Sequence, residues 1–475
     1  MKQLSVTGLV PASLALAAAL ALAACQDTAT GSGRNTAGAP MVTGPAVTSR
    51  DETPLPRQTP PGAETPAPVA APAPSVPPPP TPQPPSQITL IPPEEMANQV
   101  RVGILLPLSG PQADIGRALL DAASLAVFEI SDVNFILMPF DTRGTAEGAA
   151  ESAKDALAAD VRLVIGPVFS AAVQAAAPVL LQAGVNTIAL SNNQDVAEPG
   201  AYLAGLFPEL QIERVIGYAA RRGTRRIAAL VPAGPFGRRA AKTVRAAAAA
   251  GGMDIVEIRE YGPLADKIAE AVRTISEYET RRKALLEQRK TLEALEDEGS
   301  KRALKRLEIL ETLGPLPFDA LVVAASGEDL VNAAAQLGNF DVDTKRSRLL
   351  GLSSWAAPNT GREPALVGGW YAVPPLDADD KFSLKYRAMY ASDPHPLGPA
   401  TYDLVALAAI LASGEDGPKF DRATLTAETG FAGASGLFRL RADGLSDRAL
   451  EVREVLTDGS RVIDPARASF EALSN

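Results

Sequence analysis

The sequence predicts an α/β protein with two lobes, each a parallel sheet flanked by helices. Two observations carry the prediction. Beyond residue 100, short apolar runs alternate with helical patterns, as right-handed βαβ units require. The alternation runs once over residues 102–191 and again over 226–353, which describes two sheets rather than one. Length agrees, because 475 residues exceed one ordinary core.

Residues 1–24 read as a signal peptide. Lys2 precedes an Ala/Leu-rich apolar stretch that ends in small residues, and Leu9 to Ala24 is short for a membrane span. Leu22-Ala23-Ala24-Cys25 resembles a bacterial lipobox, and Cys25 is the one cysteine of the chain. That resemblance implies lipidation of Cys25 and a lipid anchor on the periplasmic face of a membrane. Gln26, rather than Asp, in the next position favours the outer membrane.

Residues 25–98 read as a disordered tether. They lack apolar periodicity, and residues 51–100 hold 17 of the 41 prolines. Such a segment favours extended polyproline II, at ~3.1 Å per residue a reach on the order of 100 Å.

Strands are predicted at 102–107 (VGILLP), 135–141, 162–167 and 186–191. Helical patterns at Ile115–Glu129, Thr145–Ala159 and Ala171–Gln182 separate them. The second series has strands at 226–232, 253–259, 319–325 and 348–353, with helices at Arg238–Ala250 and Glu328–Leu337. Residues 264–313 break the rhythm. Ile268, Ala271, Ile275, Tyr278, Leu285, Leu292 and Leu295 recur at helical spacing, and Leu304, Leu307 and Leu310 mark a second helix. Gly299-Ser300 supplies a C′ glycine and an N-cap. Glu277–Arg281 and Glu279–Lys283 form i,i+4 pairs. The reading is a helical hairpin insertion in the second lobe, either a buttress on its own lobe or an arm that meets another protein.

Net charge is −10, which argues against a nucleic-acid partner. With one cysteine and one histidine, His395, no zinc set of cysteines and histidines and no internal disulfide can form. GxSxG, GxxxxGK[ST] and HExxH patterns are absent from the sequence, so no enzyme, cofactor or metal site is expected.

Five segments in order resemble the type I periplasmic binding fold, in its leucine/isoleucine/valine-binding-protein-like branch. They are "VGILLPLSG", "VIGPVFSAAVQAAAPVLLQAGVNTIALSNN", "GLFPE", "LVPAGPFGRRAA" and "TYDLVALAA". The resemblance covers roughly residues 100–460 and implies three crossings between lobes. Lobe 1 would hold 99–207 and 395–430, lobe 2 would hold 208–394 and 431–465. It also implies a small-molecule cleft beyond the C-terminal strand ends. Candidate contacts are Ser109, Ser170, Ser191, Asn192 and Asn193 in lobe 1, and Phe236, Ser326 and Glu328 in lobe 2. Trp355 belongs either to the cleft wall or to the core. Ser170 stands where a helix N-terminus favours a carboxylate; its alternative is to cap that helix, and Asn192 and Asn193 equally suit a turn. Amino-acid receptors of this family usually carry tyrosine where this chain has Ile115 before Gly116 and Phe236 before Gly237. A zwitterion therefore finds few partners here.

Two functions follow. Penicillin-binding-protein activator lipoproteins resemble this chain, and that resemblance implies a regulator contacting a peptidoglycan synthase. The alternative is a solute receptor for an ABC importer, serving a permease with an amino acid, amide or related solute. Tether, lipobox and substituted pocket favour the activator-like reading.

Overall fold

The computed structural model describes residues 99–470 except 132, 133, 296, 415 and 416. Cys25, the signal peptide and the tether lie outside the described residues.

The first lobe is built on a five-stranded, all-parallel sheet in the order β2-β1-β3-β4-β5. Its strands are β1 (Val100–Leu106), β2 (Phe135–Asp141), β3 (Leu163–Ile165), β4 (Asn186–Ala189) and β5 (Ala201–Leu203). Helices α1 (Ala113–Ile130), α2 (Ala146–Ala158) and α3 (Ser170–Gln182) connect them. Val102, Ile104, Leu163, Ile165 and Ile188 are fully buried, as strands covered on both faces must be.

After α4 (Pro208–Arg221) comes a seven-stranded sheet in the order β15-β14-β10-β9-β8-β6-β7. It holds β6 (Arg226–Pro232), β7 (Asp254–Tyr261), β8 (Ala320–Val323), β9 (Arg348–Gly351), β10 (Trp370–Val373), β14 (Glu451–Leu456) and β15 (Gly459–Asp464). Its helices are α5 (Pro235–Ala250), α6 (Ala265–Ile275), α7 (Tyr278–Glu293), α8 (Glu298–Leu307) and α9 (Gly327–Asn339). Helices α10 (Leu376–Tyr390), α11 (Gly398–Ala412) and α12 (Arg422–Leu425) precede a small antiparallel sheet of β11 (Phe431–Gly433), β12 (Gly436–Leu440) and β13 (Ser446–Arg448).

The three expected crossings fall at Ala204–Phe207, at Pro374-Pro375 and at Arg448–Leu450, and two differ from expectation; after β15 the chain returns once more to lobe 1, where Phe470 lies under Arg439 at 4.7 Å. Residues 376–394, expected in lobe 2, join lobe 1, because Phe382 and Tyr386 pack on Ala122 and Leu125 of α1. Tyr386 and Tyr390 donate to the carbonyls of Ala118 (3.3 Å) and Asp121 (2.8 Å). Residues 431–448 also stay with lobe 1, where Phe438 and Leu440 enter the core beside Leu404, Phe420 and Leu425.

The expected insertion at 264–313 divides. Helix α6 belongs to the ordinary helical layer: Ile268, Val272 and Ile275 are buried with Phe318, Leu321 and Leu330. Helices α7 and α8 alone form the hairpin. Asp297, not Ser300, caps α8, accepting from the amides of Gly299 (2.8 Å) and Ser300 (3.0 Å). The i,i+4 pairs are replaced. Arg281 turns inward to the Asp341 carbonyl (3.0 Å) and lies 3.5 Å from its carboxylate. Glu279 pairs with Arg273 and Lys283 with Glu287, 3.8 Å away. The hairpin base is thus anchored, with Leu285 buried and Tyr278 edge-on to Phe340 at 5.3 Å. Its remainder exposes Leu286, Leu295 and Ile309. Among the described residues no helix is long and apolar enough to cross a membrane.

Candidate functional site

In each lobe the strand order reverses at one place, the position beyond the carboxyl ends of the strands where open α/β sheets bind their ligands. In lobe 1 the reversal lies between β1 and β3; in lobe 2 it lies between β6 and β8. The turns at these points are Pro107–Gly110 and Gly166–Phe169 in lobe 1, and Ala233–Gly234 and Ala324–Ser326 in lobe 2. Ser109, Ser170, Phe236, Ser326 and Glu328 therefore sit in or next to the reversal turns. The turn after β4, with Ser191, Asn192 and Asn193, is one strand away.

Asp141, at the end of β2, builds the first turn. Its carboxylate accepts from the amides of Leu108 (2.9 Å), Ser109 (3.1 Å) and Arg143 (2.8 Å), and from the Ser109 hydroxyl (2.6 Å). Burial alone would raise this carboxyl; the hydrogen bonds from Ser109, Arg143 and Leu108 outweigh it and hold it below the usual range. The Ser109 hydroxyl proton is thereby committed to the turn, which leaves its oxygen as an exposed acceptor. Gly116 is required by packing, since a Cβ there would lie 2.1 Å from the Pro107 carbonyl oxygen. Ile115 packs against the lobe 1 core.

Ser170 is the first residue of α3, and Phe169 holds the cap position without a side-chain hydrogen bond. Ser170 therefore does not cap, and no side chain satisfies the first-turn amides of α3 from the cap position. That leaves donors and the positive end of the helix dipole for an anion. Ser191 is buried and its hydroxyl accepts from the Asn193 amide (3.2 Å). Asn193 accepts from the Asp195 amide (3.3 Å), so both shape the turn, while Asn192 is exposed.

Lobe 2 mirrors this arrangement. A Cβ at Gly237 would lie 1.6 Å from the Pro232 carbonyl oxygen, so the glycine lets α5 start directly over β6. Phe236 is half-buried against the lobe 2 core. Ser326 holds the cap position of α9 without a side-chain hydrogen bond, and Ser326 and Glu328 are exposed. Trp355 is core, not cleft. It is 1 % exposed among Leu349, Leu366 and Tyr371. A Cβ at Gly351 would lie 2.2 Å from its ring, so that glycine makes its room.

Three polar features escaped the sequence reading. Asp141 is one, signalled only by an Asp before the turn in "FDTRG". The second joins the lobes: Arg239 of α5 lies 3.0 Å from Glu209 and 3.9 Å from Asp195 of lobe 1. The third is a buried network at the crossings. Arg448 donates to the carbonyls of Ala204 (3.2 Å) and Ser435 (2.9 Å) and to the Ser435 hydroxyl (2.7 Å). Ser435 in turn donates to Asp403, which also accepts from the amides of Ala434 (2.6 Å) and Ser435 (2.8 Å). Burial pushes the Arg448 guanidinium down to about 10, against the pull of Asp403. His395 is half-buried, with Nδ1 accepting from the Leu397 amide (3.1 Å), a turn role remote from acid–base chemistry. Among the described residues no group of His, Cys, Asp and Glu is placed to hold a metal ion.

The model of a family described as periplasmic binding protein matches residues 99–460. Solved structures share the fold at low identity. A periplasmic ligand-binding protein of a branched-chain amino acid ABC transporter from Burkholderia xenovorans is 15% identical, with TM-score 0.58, covering 77% of this chain and 96% of that one. The solute-binding protein from Rhodopseudomonas palustris in complex with 3,4-dihydroxybenzoic acid is 17% identical, with TM-score 0.53, covering 79% and 98%. LivJ from Streptococcus pneumoniae, in complex with isoleucine, is 18% identical, with TM-score 0.51, covering 77% and 100%. No curated protein sequence matches the chain significantly.

Proposed function

Because the chain belongs to the periplasmic binding protein family, we propose that it is a non-enzymatic solute receptor for an ABC importer, closing its two lobes on a small carboxylate. One observation carries the reading: the uncapped first turn of α3, with Ser170, faces the strand-reversal point of lobe 1. A carboxylate there would take backbone N–H donors. The aliphatic Ile115 and aromatic Phe236, both packed on their cores, offer no hydroxyl to an ammonium group, and Glu328 and Asp329 are the acidic side chains in the first turn of α9 near the facing reversal point. This favours a carboxylate with an apolar or aromatic body over a zwitterion. Relatives solved with 3,4-dihydroxybenzoic acid and with isoleucine hold both classes of carboxylate, so the preference rests on the side chains of this chain.

Thermal shift of the full mature chain with benzoate, 3,4-dihydroxybenzoate, leucine and isoleucine tests it. A ligand at 100 times its Kd adds about 2.7 kcal/mol. Aromatic acids are expected to raise Tm and leucine to leave it unchanged. A shift with a free amino acid alone, lost in Glu328→Gln, overturns the carboxylate preference.

A second reading retains the penicillin-binding-protein activator role, with a peptidoglycan synthase as partner. The exposed Leu286, Leu295 and Ile309 on the α7–α8 hairpin support it. Pull-down of a synthase by the wild-type chain, lost when the hairpin is shortened, would favour it over solute capture. Lipidation of Cys25 on the periplasmic face, with outer-membrane sorting, is part of both readings; metabolic labelling with a fatty acid, lost in Cys25→Ser, tests it.

A further inference from the structure

We propose that the exposed face of α8, at the end of lobe 2 remote from the cleft turns, docks on an anionic phospholipid surface. Helix α6 ends at Ile275 and β8 begins at Ala320, so the α7–α8 hairpin leaves lobe 2 at the amino ends of its parallel strands. Arg289 of α7 donates to the carbonyls of Leu307 (2.5 Å) and Leu310 (3.0 Å), and Ala303, Leu304 and Leu307 are half-buried. The rest of the α8 surface carries Lys301, Arg302, Lys305 and Arg306, all exposed. Lys301 and Lys305 share a row at four-residue spacing. Ile309, four residues further and just past the helix end, is 84 % exposed.

Local helix physics accounts for only part of this charge. Lys305 and Arg306 suit the carboxyl end of α8, whereas Lys301 and Arg302, nearer its amino end, gain nothing from the helix dipole. Lys301 lies 3.0 Å from Glu298, while Arg302, Lys305 and Arg306 form no ion pair among the described residues. Residues 301–306 hold four cations and no anion, in a chain of net charge −10. An anionic surface repels the acidic remainder, so this face decides which end of the molecule meets it. Cations alone would suit an acidic protein or a second copy of this chain equally well. Ile309, with Leu310 exposed beside it, turns the choice to lipid. A basic helix face that also exposes apolar side chains fits an interface with phosphates outside and acyl chains beneath. Residues 26–98 separate the lipid anchor expected at Cys25 from Gln99, long enough for lobe 2 to meet the same membrane.

The surface is independent of the proposed cleft ligand. Flotation of the full mature chain with vesicles tests it, with Cys25→Ser in every protein so that no acyl chain contributes. Binding is expected to vesicles of phosphatidylglycerol and phosphatidylcholine, to fall with added salt, and to be absent with phosphatidylcholine alone. Lys301→Gln/Arg302→Gln/Lys305→Gln/Arg306→Gln should weaken it at least tenfold, and Ile309→Ser at least threefold. All five side chains are exposed, and melting checks that the variants fold. No binding to the anionic vesicles, equal binding to neutral ones, or equal binding by the quadruple variant overturns the assignment. Capture of a synthase, or self-association in sedimentation velocity, that the quadruple variant loses while vesicles go unbound gives the face to a protein and overturns it as well. The benzoate shift does not depend on any of these outcomes, so the cleft reading and this one fail separately.

Discussion

Replacing Asp141 tests whether the first cleft turn is held by one ionised carboxylate. Its Oδ1 receives three backbone amides, from Leu108, Ser109 and Arg143, and its Oδ2 receives the Ser109 hydroxyl. Asp141→Ala loses all four bonds. A hydrogen bond to a charged group contributes about 1.5–3 kcal/mol when well shielded, but this turn is partly solvated, so a total loss of about 2 kcal/mol is expected. Asp141→Asn keeps a neutral acceptor for the three amides, and its expected loss is about 1 kcal/mol. The sign of the pH dependence follows from the lowered carboxyl. A carboxylate lowered in the folded state adds stability above its unfolded pKa, ~3.9, and loses it as pH falls through the folded value. Urea unfolding of wild type and Asp141→Asn at pH 7, 5 and 3 is the assay. The deficit should be equal at pH 7 and 5 and shrink towards pH 3. A deficit that is constant down to pH 3, or an Asp141→Ala deficit below about 0.5 kcal/mol, refutes the reasoning.

Gly237→Ala should lower Tm by at least several degrees, because its Cβ would stand 1.6 Å from a backbone oxygen that only a shift of α5 can relieve. An unchanged melting curve would show that α5 sits looser over β6 than the contact requires. Trp355→Ala should cost about 3–5 kcal/mol in urea unfolding, while Trp355→Phe costs clearly less, since the indole N–H has no partner to lose. Neither change should weaken solute binding per folded molecule; loss of binding in Trp355→Phe would return the residue to the cleft. Replacing residues 286–309 by a short Gly/Ser linker should leave Tm within about 5 °C. Removing 266–312 instead deletes Ile268, Val272 and Ile275 from the core and should yield no cooperative transition by circular dichroism.

The strands were legible because parallel strands buried on both faces write continuous apolar runs, as in Ile104–Leu106 and Leu321–Val323. The lobe crossings were not. Phe382, Tyr386 and Tyr390 recur at helical spacing, which predicts a buried face but not which lobe receives it. The cap of α8 was read at Ser300; Asp297, three residues earlier, holds it because its carboxylate reaches two amides at once. Arg281 read as half of a surface pair; it turned inward because Asp341, distant in sequence, supplies a carbonyl and a carboxylate. Of the candidate site, the reversal-point turns were legible because strand, turn and helix follow each other there. Trp355 was ambiguous because a tryptophan after a strand suits a cleft or a core, and only Gly351 opposite its ring decides.

The crossings explain how two rigid lobes keep a defined hinge. At the third crossing the Ala449 amide still donates to Leu437 of lobe 1 (2.9 Å), while the Leu450 carbonyl accepts from Arg214 of lobe 2 (2.8 Å). The free rotation is therefore confined to the bonds between those two residues. At the first crossing Ala204 is held to Ala189 through its amide (2.8 Å) and to Arg448 through its carbonyl (3.2 Å), and α4 begins at Pro208. The second crossing is Pro374-Pro375, whose rings fix two backbone torsions. Each strand of the hinge thus has a few bonds to turn about. Arg448 bonds to the first crossing from the third, which places a buried guanidinium held through both Nη atoms, rather than a flexible glycine, at the pivot. Beside this pivot Arg239 of lobe 2 stands 3.9 Å from Asp195 of lobe 1, an ion pair that solvent screening at the exposed Asp195 keeps weak.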